Sequence, residues 1–191
     1  PDYAVTGVQT CALPISGVYG DCGGRWIDEG APLNPSTHRA QRRIAAEGAV
    51  RDWCGTRGIP WMILRVPAIY GPGRLLIERL KSGQPTVRPE QCSFTNRIHI
   101  HDLVSICHLA MAQAPKDSIY NVSDGNPSTI TDYLFKLADL TGLPKPPLIS
   151  MQEAEKGLSP SLMSFLRESK RIHNLKMLEE LGVKLRYQIG R

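Results

Sequence analysis

The alternation of apolar runs with polar, glycine-rich breaks predicts alternating strands and helices. Residues 61–66 read Trp-Met-Ile-Leu-Arg-Val, a short and almost continuous apolar run that is typical of a strand buried in a parallel sheet. Before this run, alanines and arginines favour a helix that begins at Ser36 or Thr37 as its N-cap and ends near Cys54. A glycine and a proline within residues 58–60 separate this helix from the strand.

The rest of the chain follows the same pattern. A strand, a helix and a parallel strand in succession form a right-handed crossover unit, so the order of elements indicates an α/β fold. Loops are predicted where glycine, proline, aspartate and asparagine cluster. The remaining predicted elements are a strand end at 17–20, loops at 21–35 and 67–74, a helix at 75–80, a strand at 98–101, a helix from Asp102 as its cap to Ala114, a strand at 119–122, a helix at 129–141 closed by Gly142, and two or three short helices within 151–182.

Charge and cysteine content narrow the class of protein. The chain of 191 residues suits one domain and carries a net charge of +5 that is spread along the sequence. No zinc-finger spacing or aromatic-rich basic segment accompanies this charge, so we predict no nucleic-acid partner; a phosphate-bearing small molecule explains the charge equally well. No apolar run approaches the roughly 20 residues of a membrane span, so no membrane partner is predicted. The five cysteines, without a Cys-x-x-Cys pair, indicate a reduced, cytoplasmic protein.

Both ends of the sequence resemble something other than protein structure. Read codon by codon, residues 5–15 match the translation of a common sequencing adapter, and residues 189–191 match the start of that adapter on the opposite strand. We therefore expect residues 1–16 and 188–191 to be non-native and the natural sequence to begin near Gly17. The alternative is a natural N-terminus.

Four blocks of sequence carry a resemblance to a known family. They are 17–20 (Gly-Val-Tyr-Gly), 64–74 (Leu-Arg-Val-Pro-Ala-Ile-Tyr-Gly-Pro-Gly-Arg), 97–103 (Arg-Ile-His-Ile-His-Asp-Leu) and 120–125 (Tyr-Asn-Val-Ser-Asp-Gly). In this order they resemble the extended short-chain dehydrogenases/reductases of the NAD(P)-dependent epimerase/dehydratase type, in an atypical form. Each block alone is weak, but four in the right order are specific.

The resemblance implies the C-terminal part of a Rossmann-type, doubly wound parallel sheet with a small, mostly helical substrate region. Residues 17–66 are then the remaining part of the NAD(P)-binding domain, and residues 67–187 the substrate-binding region with returning Rossmann elements. The glycine-rich phosphate turn follows the first strand of that fold and would precede this chain. The glycines within residues 17–24 are a poor substitute, because no helix opens directly after them.

The resemblance also implies where catalytic groups belong. The family uses a Tyr as acid/base, a Lys four residues later that lowers the Tyr pKa, and a Ser or Thr that holds the reacting oxygen. Counted back from the run at 44–47, the Tyr position is Arg39 and the Lys position is Arg43. The Ser/Thr position lies three residues before Val18 and is Ile15, in the adapter-like segment. Arginine keeps its proton, so Arg39 cannot be a general base, whereas Arg43 could bind ribose or phosphate. His38 is the nearest group that titrates near neutrality; the alternative is that both arginines are ordinary surface residues.

Further positions match the family's binding loops. Val66, Pro67 and Ala68 match the loop that passes beside the nicotinamide and the substrate, and Ala68 stands where many relatives carry Asn. Arg74 and Arg97 are candidates to bind the phosphate of a nucleotide-sugar. The alternative for both arginines is a surface position or a structural ion pair.

A metal site is not predicted. His99 and His101 alternate on the predicted strand and would share one face beside Asp102. No third metal ligand is identifiable, so this group is taken as structural.

Three functions compete. The first is a fragment of an NAD- or NADP-dependent oxidoreductase or epimerase that acts on a small, nucleotide-sugar-like substrate, with a homodimer as a candidate assembly. The second is a non-catalytic NAD(P)-binding or regulatory member of the same fold, because the Tyr is replaced. The third is a nucleic-acid binder, which a salt-dependent binding titration would reveal.

Overall fold

The computed structural model describes residues 16–189, which form short strands and helices. Residues 1–15 and 190–191 lie outside the described residues, so their non-native origin stays a prediction. The strands are β1 (Trp26–Ile27), β2 (Met62–Arg65), β3 (Ala68–Tyr70), β4 (Thr86–Val87), β5 (Phe94–Thr95), β6 (Arg97–His99), β7 (Ser118–Asn121), β8 (Ser128–Thr129), β9 (Leu148–Ile149) and β10 (Arg171–Ile172). The helices are α1 (His38–Gly55), α2 (Ile77–Lys81), α3 (Ile100–Gln113), α4 (Ile130–Thr141), α5 (Met151–Gly157), α6 (Pro160–Leu166) and α7 (Leu175–Glu180).

The strand predicted at 61–66 is confirmed as β2, which lies in a parallel pair. β2 pairs with β7, from Met62 opposite Ser118 to Arg65 opposite Asn121. All four residues of β2 are buried, as its almost continuous apolar run predicts, and the fourth of them is the charged Arg65. The pairs β1–β10, β3–β6 and β4–β9 are also parallel, whereas β5 and β8 are antiparallel. The predicted α/β class is therefore confirmed.

Helix α1 packs against its neighbours along one narrow seam. Its N-cap is Thr37, whose hydroxyl accepts a hydrogen bond from the backbone N–H of Ala40 at 3.2 Å, so the predicted cap is confirmed. The buried residues of α1 are Ala40, Glu47 and Cys54. Their spacing of seven residues, close to two helical turns, places them on one face. Glu47 in this seam forms an ion pair with Arg65 of β2, which ties α1 to the β2–β7 pair.

Two large hydrophobic cores organise the described residues. The first joins β2 and β7 to α3 and α7, and includes the fully buried Ile106 and Met177. The second joins α2, α4, α5 and α6 around the fully buried Leu134. The second core is mostly helical, in agreement with the helical substrate region that the family resemblance implies. The boundary between the NAD(P)-binding and substrate-binding regions, placed between residues 66 and 67, stays a prediction.

The helix predicted at 129–141 is confirmed as α4. The hydroxyl of Thr129 accepts a hydrogen bond from the backbone N–H of Asp132, and the carboxylate of Asp132 accepts one from the backbone N–H of Thr129. Gly142 ends the helix in the left-handed conformation, with a φ of 67°. Local sequence therefore defines both ends of this helix.

The strand end predicted at 17–20 is wrong. Residues Ser16–Tyr19 form a 3-10 helix, closed by a hydrogen bond from the N–H of Gly20 to the carbonyl of Gly17 at 3.1 Å. The carbonyl of Val18 accepts a hydrogen bond from the N–H of Asn34 at 3.1 Å. These backbone groups are thus satisfied by a turn and a loop instead of a strand partner.

The strand predicted through residue 101 is wrong in its second half. β6 ends at His99 and α3 begins at the next residue, with His99 rather than Asp102 as its N-cap. The Nδ1 atom of His99 accepts a hydrogen bond from the N–H of His101 at 3.2 Å. Asp102 is buried, and its carboxylate accepts hydrogen bonds from the backbone N–H groups of Arg186 and Tyr187. The C-terminal segment therefore holds the first turn of α3.

Seven strands of two or three residues were not predicted: β1, β3, β4, β5, β8, β9 and β10. β3 lies within the segment predicted as a loop at 67–74, and β10 lies in the tail predicted as helical. Strands of two or three residues are too short to show a period-2 pattern, so only their pairing partners define them. None of the helices described between residues 16 and 189 is long and apolar enough to cross a membrane.

Candidate functional site

A cavity of about 530 Å³ opens where the two halves of the described chain meet. Its walls come from the N-terminal 3-10 turn, the first two turns of α1, the start of β3, β5 and α6. The 3-10 turn and α1 therefore share this cavity with α6, which belongs to the second core. Cavities in such positions are the usual places for small-molecule sites.

The first turns of α1 place two of the three predicted catalytic residues at the cavity. Arg39 is exposed and Arg43 is half-buried, and both line the cavity. Residues four apart on a helix share a face, which explains why these two side chains lie together. His38 is exposed and does not line the cavity; its Nδ1 lies 3.2 Å from the side-chain oxygen of Gln41. The catalytic roles of all three residues stay predictions.

A buried ion pair that sequence reasoning missed closes one wall of the cavity. Nζ of Lys170 lies 2.7 Å from a carboxylate oxygen of Glu168 and donates a second hydrogen bond to the carbonyl of Gly20 at 2.6 Å. The other carboxylate oxygen of Glu168 accepts a hydrogen bond from the hydroxyl of Ser36 at 2.6 Å. The pair therefore joins the segment after α6 to two points of the chain that precede α1.

The predicted cofactor loop is divided between the core and the cavity. The side chain of Val66 is buried in the first core, and Pro67 is also buried. Ala68, at the start of β3, lines the cavity. Of the three, Ala68 is placed to contact a ligand in this cavity through its side chain, and the cofactor role of the loop stays a prediction.

The two arginines predicted to bind substrate lie away from the cavity lining. Arg74 is exposed, and its backbone N–H donates to the carbonyl of Gly71 at 2.9 Å. Arg97 is buried and donates hydrogen bonds to the hydroxyls of Ser128 and Thr95, both at 2.7 Å. Burial lowers the pKa of Arg97. These contacts support a structural role for Arg97. The substrate-binding role of both arginines stays a prediction.

Asp124 lies close to Arg97 in a buried position. Burial raises the pKa of Asp124 to about 6, although the N–H of Asn126 and the charge of Arg97 favour the ionised form. An unfolded aspartate has a pKa of about 3.9, so the folded state holds this proton more tightly. The stabilisation from protonated Asp124 is therefore present below about pH 4 and is lost as the pH rises through 6.

We predict that Asp124→Asn weakens the pH dependence of stability in this window. A shift of about two pKa units corresponds to roughly 3 kcal/mol. Between pH 4 and pH 7 the wild type should therefore lose about 3 kcal/mol of unfolding free energy that the variant, which has no carboxyl group at residue 124, does not lose. Urea unfolding of both proteins at four pH values measures this difference. If the unfolding free energies of the two proteins change with pH in parallel, the ionisation of Asp124 does not destabilise the folded state.

The glycines at 20–24 support a turn beside the cavity. Gly20, Gly23 and Gly24 all have positive φ angles. The N–H groups of Cys22 and Gly24 donate to the same carbonyl, that of Ser169, at 3.0 and 2.9 Å. The first helix after these glycines begins at residue 38, so the described chain has no helix N-terminus directly behind them to hold a phosphate.

The histidines near β6 belong to a packed aromatic cluster. The ring of His99 stacks on Tyr187 with centroids 3.8 Å apart, and the rings of His99 and His101 lie 5.0 Å apart. Burial lowers the pKa of His99, and the charge of His101 adds to this effect. Among residues 16–189, no group of three or more His, Cys, Asp or Glu side chains is placed to hold a metal ion.

Comparison with known proteins identifies the family. The family model described as "NAD dependent epimerase/dehydratase family" matches residues 9–123, which is more than half of the chain. The chain belongs to this family. The match begins inside the adapter-like segment and ends in the 120–125 block that carried part of the resemblance. A search of curated proteins finds no match.

Solved structures show the same fold over almost the whole chain. A conserved protein of unknown function from Silicibacter pomeroyi is 35% identical, with a TM-score of 0.80; the match covers 94% of this chain and 60% of that one. UDP-glucuronic acid 4-epimerase from Bacillus cereus, solved with NAD, is 15% identical, with a TM-score of 0.71 and coverage of 95% and 56%. RMD from Pseudomonas aeruginosa, solved with NADPH, is 16% identical, with a TM-score of 0.70 and coverage of 95% and 61%. The chain thus spans about 60% of the length of these structures.

Proposed function

We propose that this chain is the substrate-binding part of an NAD(P)-dependent oxidoreductase or epimerase that acts on a small, nucleotide-sugar-like substrate. The observation that carries the proposal is the cavity between α1 and α6, which includes Ala68 and the positions that the family resemblance assigns to the catalytic pair. Family membership supports the reaction class. The nucleotide-sugar complexes among the similar folds support the substrate class.

The described residues bind and orient a substrate but do not repeat the family's proton transfer. Arg39 stands at the position that the resemblance assigns to the Tyr, and a guanidinium group offers hydrogen-bond donors but no acceptor. His38 points elsewhere, toward Gln41. A proton acceptor for a full reaction must therefore come from another group. If the parent protein has no such group, the second candidate function applies: a non-catalytic NAD(P)-binding or regulatory member of the family. The presence of Arg39 at this position favours that second candidate.

The described residues offer only a partial fit to a nicotinamide cofactor. In this fold the pyrophosphate is held by N–H groups at a helix N-terminus that directly follows a glycine-rich turn. The N–H groups of Cys22 and Gly24 donate to the carbonyl of Ser169 instead, and no described helix opens directly behind the glycines at 20–24. Ala68 and Arg43 line the cavity and are the residues that would meet the reactive end of NAD or NADP. The rest of the cofactor site would belong to other parts of the parent protein.

The outer face of α1 is the candidate surface for a homodimer. Ala45, Ala46 and Ala49 are exposed, and 53% of the surface of Trp53 is accessible. An apolar helix face of this kind is typical of an interaction surface. A cytoplasmic location also remains part of the proposal. Its support is the reduced state of the four described cysteines, Cys22, Cys54, Cys92 and Cys107.

Calorimetric titration of the folded chain tests the proposal. We expect measurable binding of UDP-glucose, and weak or no binding of NAD⁺ and NADP⁺, because the described residues lack a pyrophosphate cradle. Ala68→Phe, which fills part of the cavity, should abolish UDP-glucose binding while the circular dichroism spectrum stays unchanged. Absence of UDP-glucose binding would contradict the substrate class. Micromolar binding of NAD⁺ would place the cofactor site on this chain, with the glycines at 20–24 as the first place to look.

A further inference from the structure

The charged residues around the cavity point to a ligand of defined charge. We propose that Arg39, with Arg43, binds an anionic group, a carboxylate or a phosphate, carried by a small hydroxylated substrate. Arg39 then selects substrate charge at the position where the family resemblance places a general base. This inference rests on the proposed function and deepens it by naming the class of substrate.

The two arginines are placed to act on one ligand. Arg39 and Arg43 lie four residues apart on α1 and both line the cavity. A guanidinium group presents several N–H donors in a planar fork that matches a carboxylate or a phosphate. They also lie in the first two turns of a helix of 18 residues, whose N-terminal end adds a partial positive charge.

The other charges that line the cavity cancel each other. Glu168 is its acidic lining residue, and its carboxylate is paired with Lys170 at 2.7 Å. Both side chains are largely buried, with 14% and 7% of their surface accessible, and each makes a second hydrogen bond, to Ser36 and to Gly20 respectively. Among the described lining residues, Arg39 is therefore a positive group whose charge this ion pair does not balance.

Arg39 differs from the buried arginines of the same chain. Arg65 is paired with Glu47, and Arg97 donates to two hydroxyls. For Arg39, no ion pair or hydrogen bond of the side chain is found among the described residues. An arginine at a cavity wall without an acidic partner is placed to take that partner from a ligand.

The remaining walls suit the body of a small polar molecule. Phe94, Leu162 and Phe165 supply apolar surface, and Ser159 supplies a hydroxyl. Both atoms of the Asn96 amide are already used, by the carbonyl of Lys170 and the N–H of Ile172. Recognition of ligand charge thus falls to the arginines, while the opposite walls provide shape and van der Waals contact.

Three pyranoses that differ only at C6 test the inference. Glucose is neutral, glucuronate carries a carboxylate and glucose 6-phosphate carries a phosphate. By saturation-transfer NMR and calorimetry on the folded chain, we expect at least one of the two acids to bind about tenfold or more tightly than glucose, since charge-assisted hydrogen bonds are stronger than neutral ones. The acid that binds more tightly identifies the group, carboxylate or phosphate.

Variants on one helix separate a specific role from general charge. Arg39→Gln should remove the preference for the acid, and Arg39→Lys should keep part of it, because lysine retains the charge without the planar fork. Arg42→Gln is the matched control, since Arg42 is exposed on the same helix and does not line the cavity. Arg39 is itself exposed, so its variants should fold, and circular dichroism checks this.

Several results would overturn the inference. These are equal binding of the three sugars, no binding of any of them, an equal loss in the Arg39 and Arg42 variants, or displacement of the bound acid by NAD⁺, which would assign the anion site to the cofactor. The UDP-glucose titration decides the proposed function separately. A protein that binds UDP-glucose but does not prefer a sugar acid keeps the proposed function and loses this inference.

Discussion

Glu47→Ala should lower the free energy of unfolding by about 3–5 kcal/mol, the cost that is typical when one partner of a buried ion pair is removed. Glu47 and Arg65 form a bidentate pair, with N···O distances of 3.1 and 2.8 Å. Only 10% and 4% of the two side-chain surfaces are accessible. Without the carboxylate, the guanidinium of Arg65 would keep its charge in a site closed to water.

The hydrogen bonds around this pair show why no neighbouring group can replace the lost carboxylate of Glu47. Arg65 also donates to the hydroxyl of Tyr19 at 2.9 Å, and that hydroxyl donates to Asn121 at 2.7 Å. Burial would lower the pKa of Arg65, but the hydrogen bonds that Arg65 donates to Glu47 and Tyr19 reverse this effect and raise it. The carboxylate of Glu47 is therefore the group that stabilises the charged form of Arg65 in this buried position.

Urea unfolding followed by circular dichroism measures the effect, and two comparisons control it. Glu78→Ala removes an exposed partner of Lys81 and should cost at most about 0.5 kcal/mol. The double variant Glu47→Met, Arg65→Met should recover much of the lost stability, because an apolar pair leaves no buried charge. A Glu47→Ala loss as small as that of Glu78→Ala would show that the pair does not anchor α1.

Strong local signals made part of the fold predictable from sequence. The buried strand at 61–66 was recognised because its apolar run is interrupted only at Arg65. The start of α1 and both ends of α4 were recognised because Thr37, Thr129 and Gly142 satisfy helix termini through local hydrogen bonds or a positive φ. These features depend on residues that are close in sequence.

Elements that depend on distant partners were missed. β10 has two residues and becomes a strand through pairing with β1, about 145 positions earlier. Residues 17–20 looked like a strand end because they are apolar and glycine-rich, yet hydrogen bonds to residue 34 and within the turn make them a 3-10 helix. Local pattern cannot supply such long-range information.

The candidate site divides in the same way. Arg39 and Arg43 could be placed on one helix face from their spacing alone, and the structure brings both to the cavity. Lys170 and Glu168 could not be found, because their role depends on contacts with Gly20 and Ser36 across more than 130 positions. In the sequence, Lys170 is marked only by its basic neighbour Arg171.

Gly20→Ala should destabilise the protein far more than Gly23→Ala, although both glycines have nearly the same backbone conformation. Their φ angles are 63° and 59°, so an alanine at either position would have to adopt a left-handed conformation. This conformation is unfavourable for alanine by about 1–2 kcal/mol. A Cβ at residue 23 meets no atom within 4 Å, whereas a Cβ at residue 20 would overlap the backbone carbonyl of Asn34. We expect a loss of about 1 kcal/mol for Gly23→Ala and of more than about 4 kcal/mol for Gly20→Ala.

The extra cost at Gly20 should also reach the cavity. Asn34 cannot simply move aside, because its N–H donates to the carbonyl of Val18, a cavity residue, at 3.1 Å. The carbonyl of Gly20 accepts the 2.6 Å hydrogen bond from Lys170, so a shifted turn would disturb the pair of Lys170 with Glu168. We therefore expect Gly20→Ala to weaken UDP-glucose binding under conditions where the variant is still folded, and Gly23→Ala to bind like the wild type. Urea unfolding and calorimetry on the two variants measure these effects, and equal losses of stability would mean that the loop around Asn34 relaxes without cost and that only the φ angle constrains Gly20.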